Sequence, residues 1–249
     1  MSLEKYSQKI ARKLGLRDQQ VKNTLGLLAS GGTIPFISRY RKEVTGSLDE
    51  VQITAVRDNL QRLQELDKRR EAIIKSLQEQ EILTAELQKQ LEAAETLTIL
   101  EDIYLPYKPK RKTRASVALS RGLEPLAKWL LHNNNPTAEV KAREFVNPGK
   151  EITGAEEALR GARDIIAEWV SENKTIRSRL RKMFYENGEW VSSVIKSKQG
   201  EAAKYETYFD YSEQVKKLPS HRILAMLRGE QEGFLRLHVR VDEDEALRA

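Results

Sequence analysis

From Ile53 to Leu77 the apolar residues Ile53, Val56, Leu60, Leu63, Leu66, Ile73, Ile74 and Leu77 recur mostly at steps of three and four, the spacing of one face of an α-helix. Leu48-Asp49-Glu50 opens this stretch, with Asp49 placed to cap the first turn. Thirty or so helical residues at about 1.5 Å each span about 45 Å, longer than most globular helices, so the neighbouring segments must be organised along a spine. The stripe lapses only near Lys68 to Arg70. Composition agrees with a helical reading: 32% of the residues are charged, while 249 positions hold only 13 glycines and 7 prolines. The expected fold is mainly α, multi-helical with a long central helix and a small β element near the C-terminus.

Shorter helices are predicted on both sides of the spine. Ile10, Leu14, Val21, Leu25 and Leu28 describe two amphipathic helices broken at Gly15, and Gly31-Gly32 stops the second. Thr84 and Thr96 each cap a further helix, and Trp129 lies on the apolar face of another between Gly122 and Leu131. Asn133-Asn134-Asn135-Pro136 reads as an internal linker and Asn147-Pro148-Gly149 as a turn. Past Ala155 a long stripe through Ile165, Trp169, Ile176 and Leu180 predicts one bent helix or two, with the break at Asn173. Pro219 starts a short helix expected to bury Ile223, Leu224 and Leu227. Two segments read as strands, Trp190 to Ile195 and Phe234 to Val241, and their pairing is expected. The second is followed by Asp242-Glu243-Asp244-Glu245 with no further helix evident, an ending expected to lead into another domain.

Two segments combine positive charge with aromatic rings. Pro106 to Arg114, PYKPKRKTR, packs Lys108, Lys110, Arg111, Lys112 and Arg114 into nine residues together with Pro106 and Pro109, which oppose a continuous helix. Tyr104 and Leu105 should anchor this stiff loop, whose charge suits a phosphate backbone and equally suits plain solubility. In FISRYRKEVTG, from Phe36 to Gly46, Arg39, Arg41 and Lys42 flank Tyr40. That mixture can hold a sugar-phosphate chain and stack a base. The same spacing also allows Phe36, Ile37 and Tyr40 to be core anchors, with Glu43 pairing an arginine.

Several chemistries lack their residues. Without any cysteine there is no disulfide, thiol nucleophile or thiolate metal site, which fits a reducing cytoplasm. His132, His221 and His238 are scattered, so no metal ion and no cofactor are expected. Ser220 and His221 are sequence neighbours at a helix start with no third group to orient the imidazole, so no catalytic residue is assigned. Gly31-Gly32 lacks the downstream glycine and lysine of a phosphate-binding loop. No stretch approaches the roughly 18 apolar residues of a membrane span. Net charge is +6, so local clustering matters more than the overall balance.

Four strings together carry a more specific likeness: FISRYRKEVTGSLDEVQ (36–52), LEDIYLPYKPKRKTRA (100–115), GLEPLA (122–127) and FDYSEQVKKLPSHRILAMLRGEQEG (209–233). In this order they resemble the N-terminal region of the bacterial Tex family of transcription accessory proteins. The resemblance implies a mostly helical portion with a helix-turn-helix-like module and a long central helix. It also implies YqgF-type, helix-hairpin-helix and C-terminal OB-type RNA-binding domains elsewhere in a full-length chain. The expected organisation is a helical region at 1–132 holding the long helix and basic loop, a helical region at 133–233 with the helix-turn-helix-like module, and a strand at 234–249 leading toward a YqgF-type domain.

The functional expectation is a cytoplasmic, non-enzymatic, nucleic-acid-associated scaffold acting in transcription or RNA-linked regulation. Its contacts to RNA or DNA are assigned to Arg39, Tyr40, Arg41, Lys42, Lys108, Lys110, Arg111, Lys112 and Arg114, without a membrane partner. The alternative is a protein-interaction scaffold that docks an acidic partner such as RNA polymerase without touching nucleic acid.

Overall fold

The computed structural model describes residues 3–109, 112–133 and 137–248, which form two compact units, Met1–Tyr107 and Lys108–Ala249. The first unit is entirely helical among its described residues, with α1 (Leu3–Leu14), α2 (Asp18–Ala29), α3 (Ile34–Tyr40), α4 (Lys42–Thr45), α5 (Glu50–Glu79), α6 (Ala85–Ala93) and α7 (Leu97–Tyr104). Its breaks follow the sequence signals. Gly15 takes the left-handed conformation at φ 65°, which favours glycine, and ends α1 there. The Asp49 carboxylate accepts the backbone N–H of Gln52 at 2.7 Å while the Gln52 side chain accepts the N–H of Asp49, a reciprocal cap that fixes where the long helix begins.

Along its 30 residues α5 serves three apolar clusters in succession. Ile53 packs with Ile37 and Leu48, Val56 with Ile10, Val21 and Leu25, and Leu66, Ile73 and Leu77 with Leu87, Leu91, Leu100 and Tyr104. Leu60 and Leu63 are only half-buried, so the stripe is weakest at its middle. The lapse beside them is filled by buried polar groups. Tyr6 of α1 donates its hydroxyl hydrogen to Asp67 at 2.8 Å, and Asp67 pairs with Arg70. Arg70 in turn donates to the carbonyls of Leu91 at 2.9 Å and Ala94 at 2.8 Å, satisfying the end of α6. Burial, together with the hydrogen bond to Asp67, pushes the Tyr6 hydroxyl pKa up to about 12.

The second unit contains α8 (Arg114–Ser120), α9 (Glu124–His132), α10 (Ala138–Arg143), α11 (Ala155–Glu172), α12 (Lys174–Glu186), α13 (Ser220–Gln231) and α14 (Glu243–Arg248), with β1 (Glu189–Val194), β2 (Asp210–Gln214) and β3 (Leu235–Arg240). Small residues let α8, α9 and α11 approach closely: Ala115, Ala118, Ala127, Ala158 and Ala162 are buried together with Leu123, Leu126 and Ile165. A Cβ on Gly161 would lie 2.5 Å from a methyl of Leu123. Asn173 separates α11 from α12, its side chain accepting the N–H groups of Thr175 at 2.9 Å and Ile176 at 3.2 Å. Positions 134–136 of the expected asparagine linker lie outside the described residues.

The strands form an antiparallel sheet in the order β2-β1-β3, with Trp190 opposite Val239 and Ser192 opposite both Tyr211 and Leu237. The sequence-based pairing of the Trp190 and Phe234 regions therefore holds. β2 was missed. Its residues, Asp-Tyr-Ser-Glu-Gln, alternate exposed with half-buried positions and contain no β-branched residue, so an edge strand passed for a loop.

Two further expectations need correction. On α13 the buried residues are Met226 and Gly229, while Leu224 is 67% and Leu227 41% exposed. The helix presses its Met226–Gly229 side onto Tyr205 and Leu235, because glycine permits the closer approach. β3 is followed by the short helix α14, where no helix was expected; three acidic residues occupy its first turn, as the helix dipole favours.

Candidate nucleic-acid interface

In the first unit, α3 is short and strongly two-sided. Thr33 precedes it in an extended conformation and Pro35 sits in its first turn. Ile37 is fully buried against Leu48 and Ile53 and fixes the rotation of the helix. Phe36 and Tyr40, four residues apart, consequently lie on the outside at 42% and 64% exposure. The core-anchor reading thus holds for Ile37 alone. The two rings are neighbours, with centroids 5.5 Å apart and planes inclined by 41°. The Arg41 guanidinium carbon sits 5.4 Å from the Phe36 ring centre, a cation over an aromatic face. Arg39 is 70% exposed on its side chain and approaches Glu50, rather than Glu43, at 4.0 Å. Lys42, also exposed, opens α4.

Side chains of α2 hold this surface in place. Gln20 donates to the carbonyls of Thr45 at 3.3 Å and Gly46 at 3.0 Å, and Asn23 donates to that of Val44 at 2.6 Å. Gly46 turns the chain at φ 63°. Beside Phe36 and Arg41 runs a cleft of about 430 Å³, lined also by Ser30, Gly31, Gly32 and Thr33. Arg39, Tyr40, Arg41 and Lys42 are thus displayed from a fixed element, and Phe36 extends the aromatic surface beyond what the sequence suggested.

The basic loop is less completely described. Tyr104 is buried, with its hydroxyl 3.1 Å from that of Ser76 and the Arg69 guanidinium 5.7 Å from its ring centre, so the anchoring expectation holds there. Leu105 is half-buried, while Pro106, Tyr107 and Lys108 are exposed. Lys110 and Arg111 lie outside the described residues. Lys112 is exposed, and Arg114 belongs to the first turn of α8 rather than to the loop because Thr113 caps that helix, accepting the N–H of Ser116 at 3.0 Å.

Lys112 and Arg114 line a groove of about 490 Å³ with Arg121, Glu157, Arg160 and Asp164. A neighbouring depression shares the last three of these and adds Arg163. Arg114 approaches Asp164 at 3.7 Å. Hydrogen bonds from the Thr153 N–H and hydroxyl, aided by Arg121 and Arg160, hold the Glu157 carboxyl below its ordinary range. The groove is therefore cationic but mixed in sign. Arg121, Arg160 and Arg163 were not singled out from sequence; the arginines of the LRGARD string, opposite Leu159, Ala162 and Ile165, were the available signal.

Among the described residues no set of three His, Asp or Glu side chains is placed to hold a metal ion, and no helix is long and apolar enough to cross a membrane. His221 is exposed on the first turn of α13.

Comparison with known proteins decides the family. The Tex-like protein N-terminal domain matches residues 4–78, and the Tex central region matches residues 133–249. The chain belongs to the Tex family. Among its relatives, protein YhgF of Escherichia coli K12 is 43% identical over 242 residues, covering 97% of this chain and 31% of YhgF. The transcriptional accessory protein Tex of Neisseria gonorrhoeae is 40% identical over 236 residues, covering 95% of this chain and 31% of the relative. A human relative, S1 RNA-binding domain-containing protein 1, is 26% identical over 229 residues, covering 89% of this chain and 23% of its own length. This Tex-family chain thus spans about a third of the length of its bacterial relatives. The exposed Phe36–Tyr40 surface lies within the Tex N-terminal match, and α11 to α14 within the central-region match.

Proposed function

We propose that the chain is a non-enzymatic, cytoplasmic scaffold with a transcription-linked role, and that it meets single-stranded nucleic acid through the surface of α3 and α4. The transcription link is supported by the name of the gonococcal relative, and an association with RNA by that of the human one. One observation carries the reading: Tyr40 and Phe36 stand exposed side by side on a helix whose rotation is fixed by buried Ile37, with Arg41 over the Phe36 ring and the exposed cations Arg39 and Lys42 in the same short segment. A ring held in the open beside cations gives an unpaired base a face to stack on and its phosphates a counter-charge. Lys108, Lys110, Arg111, Lys112 and Arg114 supply further phosphate contacts that add affinity without reading sequence. RNA polymerase and the domains implied for a full-length chain are the partners such a scaffold would bring to the nucleic acid.

The test is fluorescence anisotropy of a labelled oligouridylate titrated with the chain at several salt concentrations. Replacing Tyr40 and Arg41 together by alanine should weaken binding by about 1–3 kcal/mol for the lost stacking. It should also make the logarithmic salt slope shallower by roughly 0.7 for the lost phosphate contact. Binding of an acidic polypeptide with no binding of oligouridylate would instead establish the protein-docking scaffold.

A further inference from the structure

The helix α12 contributes nothing to the site described above and has no fully buried residue. Its sequence, KTIRSRLRKMFYE, carries five basic residues and a single acidic one. The two sides of the helix differ sharply. Ile176, Leu180 and Met183 are half-buried on the side that meets α11 and the Val215–Lys217 turn. Lys174, Ser178, Arg181, Lys182 and Tyr185 are exposed, at steps of four, three, one and three, and so form one solvent face. Tyr185 is 58% exposed within it. From Lys174 to Tyr185 this face runs for about 16 Å.

Two placements make the face stiff. Asn173 caps its start through two backbone N–H groups, and Gly188 closes its end. A Cβ on Gly188 would come within 2.0 Å of the Phe184 carbonyl oxygen, so the turn into β1 is as tight as backbone allows. Lys174 and Arg181 also engage neighbouring groups of the protein, and the helix as a whole keeps a surplus of positive charge. Surface polar contacts of this kind are weak enough that a phosphate can compete for an exposed cation.

We propose that the solvent face of α12 is a second contact surface for single-stranded nucleic acid, in which Lys174, Arg181 and Lys182 follow the phosphates and Tyr185 stacks on a base. The exposed ring favours a single strand, because duplex bases are already stacked on each other and offer no free face. This inference rests on the reading that the chain meets nucleic acid, but it concerns a different element and can fail while that reading stands.

The experiment uses the whole chain and a fluorescein-labelled oligouridylate, with a labelled duplex DNA and polyglutamate as controls. Replacing Lys182 and Tyr185 together by alanine should weaken oligouridylate binding roughly tenfold through the lost stack, and make the salt slope shallower by about 0.7. Tyr185→Phe should bind like the parent chain, since the ring is retained. Both positions are exposed, so the urea midpoint of the double variant should not move. Unchanged affinity and slope in the double variant, with the parent chain binding and the Tyr40 and Arg41 variant impaired, would overturn this proposal alone. Loss of duplex or polyglutamate binding with oligouridylate binding intact would assign the face to duplex or to an acidic protein, and also overturns it. If the parent chain fails to bind oligouridylate, both readings fall.

Discussion

The buried Tyr6–Asp67–Arg70 cluster supplies the strictest energetic test of the spine. Asp67 and Arg70 are each 8% exposed and sit where the apolar stripe of α5 lapses. Asp67→Leu leaves the Arg70 guanidinium buried without its counter-charge, and removing one partner of a buried pair costs about 3–5 kcal/mol. Arg70→Met strands the carboxylate, which keeps only the Tyr6 hydroxyl, and also uncovers the carbonyls of Leu91 and Ala94. Its cost falls in the same range or somewhat above. Changing both, Asp67→Leu with Arg70→Met, removes both charges at once, so the double variant should be markedly more stable than the summed single effects. Favourable coupling of at least about 2 kcal/mol is expected, since pairs in one polar network are strongly non-additive. Urea denaturation followed by circular dichroism measures it, with the transition of the first unit fitted separately from that of the second. Single costs below about 1 kcal/mol that simply add would mean that the cluster is solvated and does not join α1, α5 and α6.

Two more consequences follow from the same unit. Leu66→Ala should cost about 2–5 kcal/mol while Leu63→Ala costs visibly less, because Leu66 is buried and Leu63 half-buried; equal costs in denaturant titrations would contradict the burial pattern. Tyr6 has its folded pKa raised from 10.0 to about 12, so it contributes stability that is complete below pH 10 and lost as pH rises through about 12. Alkaline unfolding should steepen in that window for the parent chain and lose this component in Tyr6→Phe, as a pH series of urea midpoints would show.

Much of the helical frame was legible because its signals are local. Asp49, Thr84, Thr96 and Asn173 all cap as their side chains suggest, and Gly15 marks the first break. What was not legible depends on partners distant in sequence. Asp67 and Arg70 looked like a gap in the stripe, since a polar pair signals burial only when Tyr6 and the end of α6 are placed over it. On α13 the leucines appeared to define the buried side, yet Gly229 allows Tyr205 and Leu235 closer than any leucine face could. For the candidate site, the sequence located Arg39 to Lys42 but left open whether Phe36 and Tyr40 point inward. Their exposure was decided by Ile37 fitting between Leu48 and Ile53. The cationic face of α12 was overlooked because its half-buried Ile176, Leu180 and Met183 read first as core.

Photo-crosslinking tests the central claim most directly. The chain, bound to a single-stranded RNA containing 4-thiouridine and irradiated, should give nucleotide-modified peptides that include Phe36 to Lys42, with Tyr40 as the modified residue. Tyr40→Ala should abolish that peptide while leaving the urea midpoint unchanged, because the ring is 64% exposed. Crosslinks that avoid 36–42 altogether, or an undiminished yield in Tyr40→Ala, would contradict the assignment of this surface to nucleic acid.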